Sequence, residues 1–238
     1  MKHDTVRYDE WVRARKALMS WEKQHTKDRD ALAEARRDLP WCRIDSSYRF
    51  MTTEGERSLA ELFAGKRQLF VKHLMQAPGQ DWQCVGCSLE IDHMIGILPH
   101  FESHEVSYVV IARAPIDELE AVRRRMEWPV KMVSAYGTDF NYDMNVSFRP
   151  EDIKVGRATY NFEPYQGDME DLSGNSVFWR EGEQIYLTYQ TFGRGGEDSM
   201  GIYRLFDMLP LGREEYGPSN SLTDWAKLRN NYGDGRFD

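Results

Sequence analysis

Two cysteines separated by two residues, Cys84 and Cys87, are the side chains in this sequence best suited to chemistry. In a chain kept under reducing conditions, the C-x-x-C spacing indicates either thiol–disulfide exchange or metal binding. A thiolate at the first turn of a helix is stabilised by unpaired N–H groups and by the helix dipole, which lower its pKa. We therefore expect Cys84 to be the attacking thiol and Cys87, one turn further into the helix, to be the resolving thiol.

Patterns on both sides of the pair predict the elements that would hold it. Residues 68–75 (QLFVKHLM) predict a buried strand, in which Lys72 and His73 are candidates to assist a nearby thiolate. After the cysteines, apolar residues recur at helical spacing and predict a helix along Ile91, Met94, Ile95 and Leu98. Residues 106–112 (VSYVVIA) are continuous and apolar, which predicts a central strand parallel to the first.

The remaining elements complete an α/β pattern. Pro115 opens a helix whose acidic residues come first and whose arginines come last, and residues 130–136 (VKMVSAY) predict the next strand. An irregular insertion from Gly137 to about Asn175 precedes a hairpin over 176–191 and a final helix. This order predicts a thioredoxin-like α/β fold: a central mixed sheet flanked by helices, with an N-terminal helical arm and an insertion before the last hairpin. Right-handed crossovers would place one helix on each face of the sheet.

Three segments are expected along the chain: a helical arm at 1–40, a thioredoxin-like domain at 41–215 and an irregular C-terminal tail at 216–238. The arm carries an apolar stripe that contains Trp11, Leu18 and Trp21. It has 10 Lys+Arg against 8 Asp+Glu, whereas the rest of the chain has 21 against 31. The stripe either docks on its own domain or forms a dimer contact, and we predict a homodimer in which the arm contributes to the interface.

Composition narrows the classes of function. The 238 residues carry a formal net charge of -8, which argues against binding to nucleic acids or to anionic membranes. No apolar run approaches the roughly 20 residues of a membrane helix, and the first residues show no signal-peptide pattern, so we expect a cytoplasmic location. No Gly-rich phosphate loop stands out, and we expect no cofactor. The expected partners are a thiol or disulfide substrate or a redox partner protein.

A peroxiredoxin-like peroxidase is one alternative function. Peroxiredoxins place a proline and then a Thr or Ser at fixed distances before the attacking cysteine. Here Pro78 lies six residues before Cys84, and no hydroxyl residue stands between them. The other alternative is a non-catalytic thioredoxin-fold module that binds a partner, in which the two thiols are idle.

The sequence favours neither a metal site nor a catalytic role for the remaining Cys and His residues. Cys84, Cys87, His100 and His104 have the spacing of a zinc finger, but Pro99 interrupts the helix that both histidines would need, so we expect no metal. Cys42 follows Trp41 in an extended segment and is expected to be a buried structural thiol. His93 is expected to be solvated.

Several blocks of the sequence are similar, in the same order, to a known family. They are RDALA at 29–33, RRDLPW at 36–41, LAELF at 59–63, QLFV at 68–71, GCS at 86–88, ARAP at 112–115, RMEW at 125–128, DFNYD at 139–143, TY at 188–189, RG at 194–195 and LGR at 211–213. Through these blocks the chain resembles a thioredoxin-like family of unknown function whose members are described as predicted dithiol-disulfide oxidoreductases. The resemblance implies a thioredoxin fold and a dithiol activity. The family usually has a proline within its C-x-x-C, whereas Val85 and Gly86 stand there in this chain.

Overall fold

The computed structural model describes residues 3–44 and 47–233, and the chain divides into two compact units, residues 1–40 and 41–238. The first unit contains the helix α1 (Tyr8–Arg37), which lies within the segment where a helical arm was expected. Acidic residues lie in its first turn and arginines in its last, so the side-chain charges complement the helix dipole. None of its described residues is buried, and Trp21 is 79% exposed.

The described part of the second unit contains ten strands and seven further α-helices. The strands are β1 (Cys42–Ile44), β2 (Arg49–Thr52), β3 (Gly55–Ser58), β4 (Gln68–His73), β5 (Val106–Ala112), β6 (Lys131–Ser134), β7 (Thr159–Tyr160), β8 (Glu163–Pro164), β9 (Gly174–Glu181) and β10 (Gln184–Phe192). The helices are α2 (Leu59–Leu62), α3 (Val85–Met94), α4 (Leu98–Ser103), α5 (Ile116–Arg125), α6 (Phe140–Asp143), α7 (Pro150–Lys154) and α8 (Gly201–Phe206). Across the described residues, no helix has the length and apolar composition needed to cross a membrane.

Eight of these strands form one mixed sheet in the order β1-β10-β9-β4-β5-β6-β2-β3, while β7 and β8 pair with each other. β4, β5 and β6 are parallel, β9 is antiparallel to β4, and β10 returns from β9 as a hairpin. The parallel pairing expected for 69–74 and 106–112 is confirmed. The fold is therefore α/β and thioredoxin-like, with α3 connecting the two central parallel strands.

Helices α3 and α5 lie on the same face of the sheet, so the expectation of one helix on each face is wrong. Ile91 of α3 and Leu119 of α5 belong to one core cluster, together with Val110 of β5 and Met132 of β6. The parallel strands follow one another across the sheet in the order β4, β5, β6. Two successive right-handed crossovers that advance in the same direction must pass over the same face.

The insertion expected from Gly137 to about Asn175 contributes to the layer on the opposite face. Phe140 and Met144, in and just after α6, pack there with Leu62 and with Phe178 of β9. Within this insertion, the segment 139–143 contains one helical turn.

Arg113, directly after β5, ties this insertion to the sheet. Its guanidinium donates to both carboxylate oxygens of Asp171, at 2.8 and 2.6 Å, and to the hydroxyl of Tyr142 at 2.7 Å. The hydrogen bonds to Asp171 raise the pKa of Arg113 above its ordinary value, so the guanidinium stays charged. The two family blocks ARAP and DFNYD thus meet in space.

The sequence pattern does not predict the first three strands along the chain. β1, β2 and β3 have three or four residues each, and Phe50 is the buried residue among them. Such short strands lack the alternation that identifies a strand in sequence. In the insertion, Ser147 forms an isolated bridge with Asp171, and the left-handed φ of 54° at Asn145 interrupts extended backbone just before it.

Candidate active site

Cys84 is the N-cap residue of α3, where the chain leaves the loop that follows β4. Its backbone is extended, with φ at -64° and ψ at 113°, and its Sγ accepts the backbone N–H of Cys87 at 3.3 Å. Ser88 closes the same turn by donating its hydroxyl to the Cys84 carbonyl oxygen at 2.8 Å. The C-x-x-C pair therefore lies at the helix N-terminus where the sequence pattern places it.

Side-chain amides hold the loop that leads to the pair. The Nε2 of Gln80 donates to the carbonyl oxygens of Met75 at 3.1 Å and Trp82 at 2.8 Å, and Gln76 donates to the carbonyl of Gln80 at 3.0 Å. Gly79 supplies the left-handed conformation of this turn, with φ at 70°. These bonds define the position from which Cys84 enters the helix.

The two cysteines differ in exposure. Both are free thiols, and Cys84 is partly exposed, whereas Cys87 is only 1% exposed and lies in the core cluster on the α3 face. Cys84 therefore keeps contact with solvent, whereas Cys87 is closed off from it.

The two thiols also differ in acidity. The hydrogen bond from the Cys84 thiol lowers the pKa of Cys87 to about 6, and the Lys72 ammonium and the Met75 N–H also favour the Cys87 thiolate. The same hydrogen bond raises the pKa of Cys84, and burial raises it further. The order of acidity is thus the reverse of the sequence expectation, mainly because the hydrogen bond between the two cysteines favours the thiolate at Cys87, to which the Met75 N–H and the Lys72 ammonium add. One proton is shared by the pair, and the accessible thiol carries it.

A buried ion pair supplies the positive charge. Lys72 is 1% exposed, and its Nζ contacts the Glu90 carboxylate and the hydroxyl of Ser173, the latter at 2.8 Å. The other carboxylate oxygen of Glu90 accepts from Asn175 Nδ2 at 2.7 Å and from Ser199 Oγ at 2.8 Å. Burial by itself would lower the pKa of Lys72, but the charges of Glu90 and Cys87 raise it overall, so the ammonium persists. A buried pair with these partners can remain ionised in the protein interior.

His73 does not assist the thiolate, which corrects one of the two expectations for β4. Successive residues of a strand point to opposite faces, and His73 lies on the face away from α3. Its Nε2 hydrogen bonds with Ser176 Oγ at 2.8 Å, and its ring centroid lies 5.9 Å from that of Phe140. Burial, followed by the charge of Lys72, lowers the pKa of His73 to about 3. The ring is therefore neutral near pH 7, and the assistance expected from this strand comes from Lys72.

Cys42 and His93 also differ from expectation. Cys42 is exposed in β1, an edge strand of the sheet, and is not the buried thiol that was expected. His93 is half-buried rather than solvated: its Nδ1 bonds with the Leu89 carbonyl at 2.7 Å, and its Nε2 accepts the Ile202 N–H at 3.2 Å. His93 therefore fastens α8 to α3.

The two histidines of the zinc-finger spacing lie in the region of α4. His104 Nδ1 bonds with the His100 carbonyl at 3.0 Å. In the ranges 3–44 and 47–233, no group of three or more His, Cys, Asp or Glu side chains is arranged to hold a metal ion.

A C-terminal segment, residues 217–232, lies against α3, and we call it the C-terminal strap. A Cβ at position 86 would lie 3.4 Å from Leu222 Cδ2, so Leu222 sits directly on Gly86. Leu228 packs against the core cluster that contains Cys87 and against which Cys84 also packs. Gly86 between the cysteines thus allows the strap to approach the turn closely.

One family model matches almost the whole chain. The family described as "Bacterial protein of unknown function (DUF899)" matches residues 1–232. The chain belongs to this family. No curated protein matches the chain.

Several solved structures are similar to the chain, all with little sequence identity. A mutant of PrxQ from Xylella fastidiosa has 9% identity and a TM-score of 0.47, with 70% of this chain and 96% of that chain covered. The mitochondrial 2-Cys peroxiredoxin from Plasmodium falciparum has 13% identity and a TM-score of 0.44, with 71% and 95% covered. Peroxidoxin BcpB from Mycobacterium tuberculosis has 14% identity and a TM-score of 0.42, with 70% and 98% covered. All three TM-scores are below 0.5.

Sequence reasoning missed the partners of Lys72. One signal was available: Cys87, Glu90, Ile91 and Met94 fall at spacings of three and four, so Glu90 lies on the buried stripe of α3. A carboxylate on an apolar stripe indicates a buried cationic partner. Asn175 and Ser199 lie 85 and 109 residues from Glu90, and no local pattern could identify them.

Proposed function

We propose that this protein is a thiol-disulfide oxidoreductase in which Cys84 attacks and Cys87 resolves. The observation that carries the proposal is an accessible thiol at a helix N-cap whose neighbour is a buried thiol of lowered pKa. Burying the Lys72–Glu90 pair costs free energy, since both charges lose their hydration. A role for Lys72 in stabilising a thiolate supplies a reason for that cost.

In the first step, Cys84 attacks one sulfur of a disulfide R–S–S–R. The proton of Cys84 passes to the Cys87 thiolate, which acts as the base because the two sulfurs are already hydrogen bonded. The S–S bond of the substrate breaks, a new S–S bond joins Cys84 to one R–S group, and the other leaves as a thiolate. Exposure decides which cysteine attacks, since only Cys84 is within reach of an external molecule.

In the second step, Cys87 gives up its proton to the departed thiolate or to water and attacks the Sγ of Cys84. The second R–S group leaves and an 84–87 disulfide forms. The substrate gains two electrons and one proton from the protein, and the solvent supplies the second proton when the remaining thiolate product becomes a thiol. An external dithiol restores the reduced pair by the reverse exchange.

Thiol labelling tests this proposal. The protein is equilibrated in buffers of reduced and oxidised dithiothreitol, and free thiols are counted by mass after alkylation. We expect Cys84 and Cys87 to lose their labels together and reversibly, and we expect neither Cys84→Ser nor Cys87→Ser to do so. Cys42→Ser is the matched control, because it removes an exposed thiol outside the pair and should behave as the wild type.

Two further results assign the roles and separate the alternatives. In a Cys42→Ser background and with an excess of a small disulfide, Cys87→Ser should accumulate a mixed disulfide at Cys84, whereas Cys84→Ser should accumulate none. Absence of an 84–87 disulfide at every accessible potential would contradict the proposal and favour a non-catalytic binding module. Reaction with hydrogen peroxide much faster than with disulfides would favour the peroxidase alternative.

We also propose that the protein works in the cytosol, where free thiols persist. We further propose that it forms a homodimer and that α1 contributes to the interface. Trp11 and Leu18 are each 51% exposed and Trp21 is 79% exposed, and the net positive charge of residues 1–40 complements the acidic remainder. Light scattering on the full chain and on a chain beginning at Leu39 tests the assembly. We expect a dimer for the first and a monomer for the second, and a monomeric full chain at micromolar concentration would contradict it.

A further inference from the structure

The C-terminal strap, residues 217–232, crosses the turn that carries the two cysteines. Leu222 covers Gly86, and the residues around it, Cys84 and Val85, are only partly exposed. Leu228 packs on the same core cluster as both thiols. The surface beside Cys84 is therefore already occupied by the chain itself.

One internal set of hydrogen bonds shapes the strap, and two anchors hold it against the rest of the chain. At its start, the Asp224 carboxylate accepts the backbone N–H groups of Gly217, Ser219 and Ser221, at 3.0, 3.0 and 3.2 Å. In its middle, Trp225 meets Phe206 edge to face, with ring centroids 5.0 Å apart.

At its end, Arg229 donates to the carbonyl of Met126 and lies 3.6 Å from the Asp92 carboxylate of α3. Asp92 is itself held, since it accepts the indole N–H of Trp128 at 2.7 Å. The strap thus connects α8, α3 and the end of α5 by ordered contacts.

We propose that the strap selects the substrate of the dithiol: low-molecular-weight disulfides react with Cys84, and disulfides of folded proteins are excluded. This inference rests on the proposed function. A protein disulfide is embedded in two backbone segments, which need open surface on both sides of the attacked sulfur. A small disulfide needs only a narrow approach to the thiol, and Cys84 is partly exposed.

Two strap variants and a control test the proposal. Leu222→Ser removes the side chain that covers Gly86, and Arg229→Ala removes the anchor to Met126 and Asp92. Lys227→Ala removes a charge of the same sign from an exposed strap position, while its backbone N–H bond to Tyr232 is kept. Thermal unfolding confirms that each variant is folded, and either strap variant alone is sufficient for the test.

The first readout compares disulfide substrates. The reduced wild type should react with hydroxyethyl disulfide much faster than with insulin. Arg229→Ala removes a charged hydrogen bond and should raise the population of molecules with an open strap by about tenfold. The rate of reaction with insulin should rise by the same factor. The hydroxyethyl disulfide rate should stay within about twofold, because the small substrate does not need the opening. Lys227→Ala should match the wild type for both substrates.

The second readout does not depend on redox activity. In a Cys42→Ser background, Cys84 is alkylated by iodoacetamide or by a maleimide carried on a polyethylene glycol chain. The strap variants should accelerate the bulky reagent by about tenfold and leave iodoacetamide unchanged. Equal reaction of the wild type with both classes, or no selective gain in the strap variants, would overturn the strap proposal while leaving the dithiol proposal intact. A selective gain in alkylation of the strap variants, without any 84–87 disulfide, would support control of access by the strap and contradict the dithiol proposal.

Discussion

Lys72 and His73 are neighbours in β4 and each is 1% exposed, yet they lie in opposite electrostatic environments. On the α3 face, Lys72 keeps its charge because Glu90 and Ser173 surround its ammonium. On the other face, His73 is held neutral beside Ser176, with no carboxylate among the partners described for it. Burial alone does not decide whether a side chain is charged; the counter-charge supplied by the fold decides it. Consequently, only the α3 face can stabilise a thiolate.

The largest expected effect comes from removing one member of the ion pair. Glu90→Leu leaves the Lys72 ammonium buried without a counter-charge and should lower the free energy of unfolding by about 3–5 kcal/mol. Lys72→Met combined with Glu90→Leu removes both charges and should recover most of that loss. On the neutral face, His73→Leu should cost about 1–3 kcal/mol, the penalty for an unmade hydrogen bond. Urea unfolding at about pH 7 measures all three, and the comparison fails if Glu90→Leu costs no more than His73→Leu.

The next effect is the pH dependence that His73 gives to stability. Its pKa is about 3 in the folded chain, below the ordinary value of 6.5. As the pH falls below about 6.5, the unfolded chain binds a proton that the folded chain refuses, so His73 lowers stability by up to about 1.4 kcal/mol per pH unit. The stability advantage of the wild type over His73→Leu should therefore shrink by about 2 kcal/mol between pH 7 and pH 5. A constant difference in urea unfolding over this range would show that His73 titrates normally.

A third effect concerns thiol reactivity. Lys72 favours the Cys87 thiolate more strongly than Glu90 opposes it. The double variant Lys72→Met with Glu90→Leu should therefore raise the pKa of the pair and slow alkylation by iodoacetamide about tenfold at pH 6. His73→Leu, on the opposite face, should change the rate by less than about twofold. Mass spectrometry in a Cys42→Ser background follows the reaction. If His73→Leu slowed alkylation as much as the double variant does, the face of the sheet on which a residue lies would not determine its effect on the thiols.

The smallest effect comes from two serines that occupy matching positions on the two faces. Ser173 accepts from the Lys72 ammonium at 2.8 Å, and Ser176 bonds with the neutral His73 at 2.8 Å. Ser173→Ala should cost about 2 kcal/mol, because its bond is to a charged group, whereas Ser176→Ala should cost about 1 kcal/mol. Thermal and urea unfolding measure both stability losses. A larger loss for Ser176→Ala than for Ser173→Ala would contradict the comparison between the two faces.

Much of the central fold follows from local pattern. Short-period alternation and apolar runs identify the five central strands, and the position of Cys84 as the N-cap of α3 follows from a strand, a loop and an apolar helical stripe in succession. The same reasoning does not identify β1 to β3, which are too short to show a period. It also misplaces α5, because the face that a crossover helix occupies depends on strand order across the sheet.

The candidate site also has one part that the sequence predicts and another that only the tertiary structure shows. Sequence by itself determined that two thiols stand one helical turn apart at a strand–helix junction, since capping and periodicity act over a few residues. Only the tertiary structure decided which thiol is acidic, because the hydrogen bond from Cys84 favours the Cys87 thiolate and the packing of β4 against α3 adds the charge of Lys72. It also decided that Asn175 and Ser199 complete the ion pair and that Leu222 covers Gly86. These contacts join distant parts of the chain, and the free energy that brings them together belongs to the whole core rather than to any local segment.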